Sequence, residues 1–355
     1  MSNPYREDVL IVKLREGLYE AIQQAPEIDV RDLDSITFQK LLLKSIDYFD
    51  LREDITIQWY LDGEFIGKNQ AKIDKLGEKG RLNRINEFHL SQTPSVDQIA
   101  DFYLSMTEPS FSEFVHNSTF EYLREYYQEN KEIPYRELYL KNLDIDGALS
   151  SIRDSIKYDG DISEDHKTVS HHCQEFKLEL LIHEEFSNIM PYQRVFEQTA
   201  VSIARWAVEN EDVSKEKRVS LMTHCDEFYY EGLWRGIACI ISRNNVHGPS
   251  ENQVEKRRLG ELSAQREVFE NRYRTLREEA KEIGLELNTI SKDLPDLAEN
   301  ESIKNTWLEK HTISPNIDTQ DLPTEQAATT STDELLLGKD TGQPLSDMII
   351  EERRN

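Results

Sequence analysis

The stretch "EDHKTVSHHCQEFKLELLIHEEF" gathers His166, His171, His172, Cys173 and His183 beside Glu184 and Glu185. A second stretch, "THCDEFYYEGLW", adds His224, Cys225, Asp226, Glu227 and Glu231. Imidazole and thiolate are zinc ligands, and ligands one turn apart converge on one helix face. If the helices carrying Cys173 and Cys225 lie side by side, then His172, Cys173, His224 and Cys225 surround one metal, and the chemistry would be metal-dependent hydrolysis. Against this, adjacent helical residues point about 100° apart, so His172 and Cys173 do not aim at one ion. There is no HExxH, CxxC or paired ExxH. The single ExxH, Glu113 to His116, falls short of a di-iron bundle, which requires two such motifs and two further carboxylates. The plainer reading makes Cys173 and Cys239 small core residues and the histidines surface groups.

Other catalytic signatures are missing. No GxSxG, GxxxxGK[ST] or GxGxxG occurs, so no cofactor is expected and an enzyme is not favoured. Nucleic-acid contact has one candidate set. Gln39, Lys40 and Lys44 lie on a helix that would enter a major groove if the N-terminal elements form a winged helix. Asp47, Asp50, Glu53, Asp54, Asp62 and Glu64 follow closely. The net charge of −26 repels a phosphate backbone as well. Charge therefore favours contact with another protein, with a DNA-binding transcriptional regulator as the alternative.

The elements that position these residues are mostly helices. Apolar spacing of threes and fours predicts one over about 4–25, closed by Pro26, and another through "TFQKLLLKSIDYFD". A short turn over 29–34 separates them. Next comes "TIQWYLDGEFIG", which alternates apolar and polar residues around Asp62-Gly63, the signal of a β-hairpin with a type I′ turn. Its strands are expected at about 55–61 and 64–67. Helix, short turn, helix, hairpin is the element order of a winged helix. Trp59, Tyr60 and Phe65 then either pack on the first two helices or form an interaction patch, and packing is favoured because alternate strand residues must cover that core.

The remainder reads as an α-helical bundle over 93–249, preceded by a polar linker over 68–92. Ser95 and Gln98 form a capping-box pair at its start. Further helices are expected at about 111–128, 135–157, 164–188, 193–209 and 215–243. A long charged helix spans 250–284 and offers a candidate homodimer seam. From 285 the composition turns to Thr, Asp, Glu, Gln and Pro, and most of 285–355 is expected to be a disordered acidic tail. The fold class is thus mainly α: a winged-helix-like module over 1–67, then bundle, long helix and tail.

The segment "ITFQKLLLKSIDYFD…ITIQWYLDGEFIG" resembles the opening of an uncharacterised protein family of halophilic archaea. It is also similar, more distantly, to SocA/Panacea-type regulator modules, through Lys40, Leu41 and Leu42 on the helix and Trp59, Tyr60 and Gly63 in the aromatic segment. Those modules usually have Gly-Pro where this chain has Gly63-Glu64. The resemblance implies a winged-helix-like regulatory module and a halophilic source, and it carries over no catalytic residue. A halophilic source would make the acidity an adaptation to salt, which weakens the charge argument against DNA.

Of 355 residues, 37% are hydrophobic and 31% charged, a balance shifted toward solvated surface. Three cysteines without CxxC spacing fit a reduced compartment. No apolar run is long enough for a membrane and the first residues lack a signal-peptide pattern, so a cytoplasmic regulatory protein is expected.

Overall fold

The first helix, α1 (Pro4–Gln24), buries Leu10, Leu14, Leu18 and Ala21, one residue per turn. It packs on α3 (Val96–Leu104). The approach is close at Gly17, where a Cβ would come 2.4 Å from Ile99 Cγ2. Between them in sequence lie a 3-10 turn (Val30–Asp32), α2 (Ser35–Tyr48), and the strands β1 (Ile57–Tyr60) and β2 (Gly63–Ile66). Asp34 caps α2 by accepting from Thr37 N. Ser95 and Gln98 form the capping box expected for α3. Then follow α4 (Phe111–His116), α5 (Thr119–Glu129), α6 (Arg136–Tyr158) and α7 (Asp165–Leu181). The chain continues through α8 (Met190–Glu209), α9 (Lys215–Glu227), α10 (Arg235–Asn244) and α11 (Glu251–Glu282). This computed structural model describes residues 4–77, 93–116, 119–129, 133–162, 165–290 and 294–299. The protein is mainly α, with one two-stranded antiparallel hairpin among the described residues.

Three differences from the sequence reading matter. First, the 215–243 helix is interrupted by a π-helical stretch, Phe228–Trp234. Gln265 Nε2 donates to the carbonyls of Glu231 and Gly232 there, at 2.7 and 2.6 Å. Second, the hairpin turn is not a type I′ Asp62-Gly63 pair. Tyr60 pairs with Gly63, which leaves Leu61-Asp62 as the loop, and only Gly63 of the two takes a positive φ, 85°. A Cβ at Gly63 would fall 1.8 Å from Tyr127 Oη, so the glycine also makes room for that phenol.

Third, and largest, no boundary follows Gly67. The described residues of Met1–Ser302 cluster as one compact unit. All four residues of β1 are buried. One side of the hairpin meets α2, and the other meets α10. Trp59 lies 5.5 Å from the Tyr127 ring and 5.7 Å from Tyr139, and Tyr139 is 6.0 Å from Trp234. The free edge of β1 is covered as well: Ile57 forms a bridge with His247, with N···O distances of 3.3 and 3.4 Å. A wing would stand out in solvent; this hairpin is a core element of the bundle.

The linker and tail are also reassigned where they are described. Residues 69–71 and 73–75 form short 3-10 turns, and Ala71 is fully buried. Leu287, Leu294 and Leu297 pack into the bundle, and Tyr192 Oη donates to Pro295 O at 2.6 Å. Most of the expected linker, 78–92, and the expected disordered tail beyond 299 lie outside the described residues.

Candidate functional site

The residues proposed to read DNA are structural. Gln39 is 3% exposed and bonds at both ends of its amide: Nε2 donates to Ala71 O at 2.6 Å, and Oε1 accepts from Ile66 N at 3.0 Å. Lys40 is 1% exposed. Its Nζ donates to Asp62 O, Glu64 O and Tyr127 Oη at 3.0, 2.8 and 3.2 Å. Burial pushes its pKa down to about 8. Lys44 is half-buried and lies 5.3 Å from the Phe114 ring centre. Glu64, one of the acidic residues weighed against DNA contact, is buried and paired with Arg52 at 3.2 Å, which also holds Asp47 at 2.5 Å. Lys40 and Gln39 fasten the hairpin to α2 and cannot reach a phosphate.

The aromatic patch is likewise internal. Trp59 and Tyr60 are buried, Phe65 is half-buried, and Arg258 stacks 3.8 Å from the Tyr60 ring centre. Packing was the expected fate, but the partners are α5, α6 and α11 in addition to α2.

The metal set separates. Cys173 and Cys225 are buried near one another in the core. Burial drives both thiol pKa values up, that of Cys173 to about 12. The histidines beside them turn elsewhere. His224 Nδ1 lies 2.9 Å from Ser220 O and 3.8 Å from Glu279. His172 joins His171 and Glu175 on the outer side of α7, where one ligand atom from each falls within 4.8 Å of the others. Glu175 is already engaged by Lys141 Nζ at 2.7 Å. The 100° rotation between neighbours along a helix is why the cysteine goes inward and the histidine does not.

The same face of α7 continues into an apolar ridge that sequence reasoning missed. Val169, Cys173, Phe176 and Leu180 form the inward stripe, which packs on α6 and α8. Leu178, Leu181 and Ile182 fall on the opposite side and are 64%, 60% and 69% exposed. They follow His171 and Glu175 at helical spacing, so one face carries polar groups at its N-terminal half and aliphatic groups at its C-terminal half. Lys177, Glu179 and His183 rim it. The readable signal was "LELLIHEE", in which four aliphatic residues exceed what one buried stripe takes.

Three further expectations resolve here. The apolar stripe of the supposed dimer seam is used within the chain: Val254, Leu262, Phe269, Tyr273 and Leu276 are buried against α9, α10 and the π-helical stretch. Cys239 is buried and donates to Glu261 at 3.2 Å. Among the described residues, no helix is long and apolar enough to cross a membrane.

An all-helical body with a buried hairpin and an apolar ridge on one outer helix defines the class of this protein at the level of architecture. Residues 81–312 match a family described as a domain of unknown function (DUF8098), and the chain belongs to that family. No curated protein and no solved structure matches it.

Proposed function

We propose that the chain is a non-enzymatic regulatory or protein-interaction protein of the cytoplasm, and that the outer face of α7 with Ile182 is its contact surface. The observation that carries this is the ridge itself. Three aliphatic side chains at i, i+3 and i+4 stand more than half exposed on one helix face, rimmed by charge. Scattered single apolar residues are ordinary on a surface, whereas an aligned group with a polar rim is the anatomy of a protein contact. The resemblance of the N-terminal segment to regulator modules supports a regulatory role, and the net charge of −26 is in keeping with a halophilic source. With Gln39 and Lys40 committed to the hairpin, direct reading of DNA through them is not part of the proposal.

Photo-crosslinking in the cells that make the protein tests the reading. A benzophenone side chain at position 181 is expected to give a discrete adduct that the same group at the exposed position 211 does not. Leu181→Asp is expected to abolish the adduct formed from position 178 while shifting stability by no more than about 0.5 kcal/mol. Identical labelling from positions 181 and 211 would overturn the proposal.

A further inference from the structure

A cavity of about 230 Å³, with Val254 in its wall, lies between the hairpin and the first two turns of α11. Thr56, Gln58, Gly67, Lys68, Ser250, Gln253 and Arg257 line it, and among the described residues no acidic one does so. That is unusual surface for a chain with a net charge of −26. Gln58 is 2% exposed. Its Oε1 accepts from Arg257 Nη2 at 2.5 Å and from Arg258 Nη2 at 3.4 Å, which fixes the amide so that Nε2 faces Gly67. A Cβ at Gly67 would sit 1.5 Å from that Nε2. The amide nitrogen thus occupies a cradle that only glycine leaves open, and among the described residues the amide's hydrogen bonds are to its oxygen.

The neighbouring charges are all paired, Arg257 the least closely. The fully buried Glu7 carboxylate accepts from Lys68 at 2.9 Å, Thr56 N at 2.7 Å and Ser250 Oγ at 3.1 Å. Asp8, outside the lining, is 3.9 Å from Lys68. Arg258 pairs with Glu261 at 2.7 Å, while Arg257 stands 3.9 Å from the same carboxylate. Burial and the adjacent Arg258 both disfavour the charge on Arg257 and lower its pKa. The positive end of the 32-residue helix α11 opens on the same space.

We propose that this cavity binds a small oxyanion, the phosphate or carboxylate group of a metabolite, with Arg257 and Gln58 Nε2 as its principal donors. An anion there would stand closer to Arg257 than the Glu261 carboxylate does at 3.9 Å and would use the idle amide, and planar guanidinium is suited to either group. The site joins β1, the residues just after β2 and the start of α11, so its occupant would brace the hairpin against the long helix.

Isothermal titration of the full chain with inorganic phosphate, glycerol 3-phosphate and succinate tests this. Saturable one-to-one binding of at least one probe is expected, and which probe binds distinguishes a phosphoryl from a carboxylate source. Arg257→Gln is expected to weaken that binding by at least roughly tenfold. Lys256→Gln, an exposed cation one residue away, is expected to leave it unchanged. Should Arg257→Gln fail to fold by circular dichroism, Gln253→Glu, which brings a carboxylate into the lining from an exposed position, carries the same expectation. No saturable binding of any probe up to about 10 mM, or equal affinity in the folded variant, would overturn the proposal.

Discussion

Lys40 illustrates how a side chain that reads as a binding group becomes part of the interior. An ammonium group loses its hydration on burial, and here two carbonyls and a phenol replace the water. Its pKa, lowered to about 8 from 10.5, makes a pH prediction. The unfolded chain holds this proton more tightly than the folded one. Stability contributed at this site therefore rises with pH between about 8 and 10.5. Urea melts of wild type and Lys40→Met are expected to diverge over that window, with the wild type gaining on the variant as pH increases. A constant difference from pH 7 to pH 10 would contradict the assignment. The three cysteines give a second expectation at this scale. They are buried, and Cys173 and Cys239 have thiol pKa values pushed up to about 12 by that burial. Iodoacetamide should modify none of them at neutral pH until the protein unfolds.

Helices were legible because their signals are local. The Ser95–Gln98 box, the stop after Gln24 and the apolar spacing of α2 each lie within a few residues. The hairpin was legible for the same reason, but its burial was not. Alternation ordinarily means one wet face. Here Thr56, Gln58 and Glu64 are buried too, because Glu7, Arg52, Ser250, Arg257 and Arg258 come from elsewhere in the chain to bond them. The π-helical stretch left no trace in the sequence either, since the groups that satisfy its extra carbonyls come from α11. Removing them should be costly. Gln265→Leu is expected to lower stability by about 1–3 kcal/mol, read from urea unfolding, because two carbonyls of the π-helical stretch, one of them fully buried, lose their donor. Gly248→Ala should cost a comparable amount: φ is 117° there and a Cβ would lie 2.7 Å from Thr56 Cα.

On the scale of the whole chain, the aromatic run from Trp59 through Tyr139, Trp234, Phe176 and Tyr229 to Phe196 ties the N-terminal elements to the bundle with ring separations of 4.8–6.3 Å. Such continuity predicts one cooperative transition, with far-ultraviolet dichroism and tryptophan fluorescence changing together. Residues 1–67 expressed alone should not reach a native fold, since Trp59 would lose Tyr127, Tyr139 and its other neighbours. A folded, monomeric 1–67 fragment would refute this. Net charge acts at the same scale. Self-repulsion at −26 should be relieved as salt rises from about 0.1 to 1 M and the screening length falls from about 10 to 3 Å, so the melting temperature should increase.

Besides its bonds to α2, the hairpin is held by contacts of very long separation: Trp234 Nε1 donates to Leu61 O across 173 residues, and Arg258 reaches Gln58 across 200. During synthesis at about 5–20 residues per second, β1 and β2 leave the ribosome roughly 10–40 s before those partners exist. For that interval a strand pair rich in Ile, Trp, Tyr and Phe has only α2 against it, without its later cover or the His247 edge protection, so the nascent chain is a natural client for chaperones that shield apolar segments.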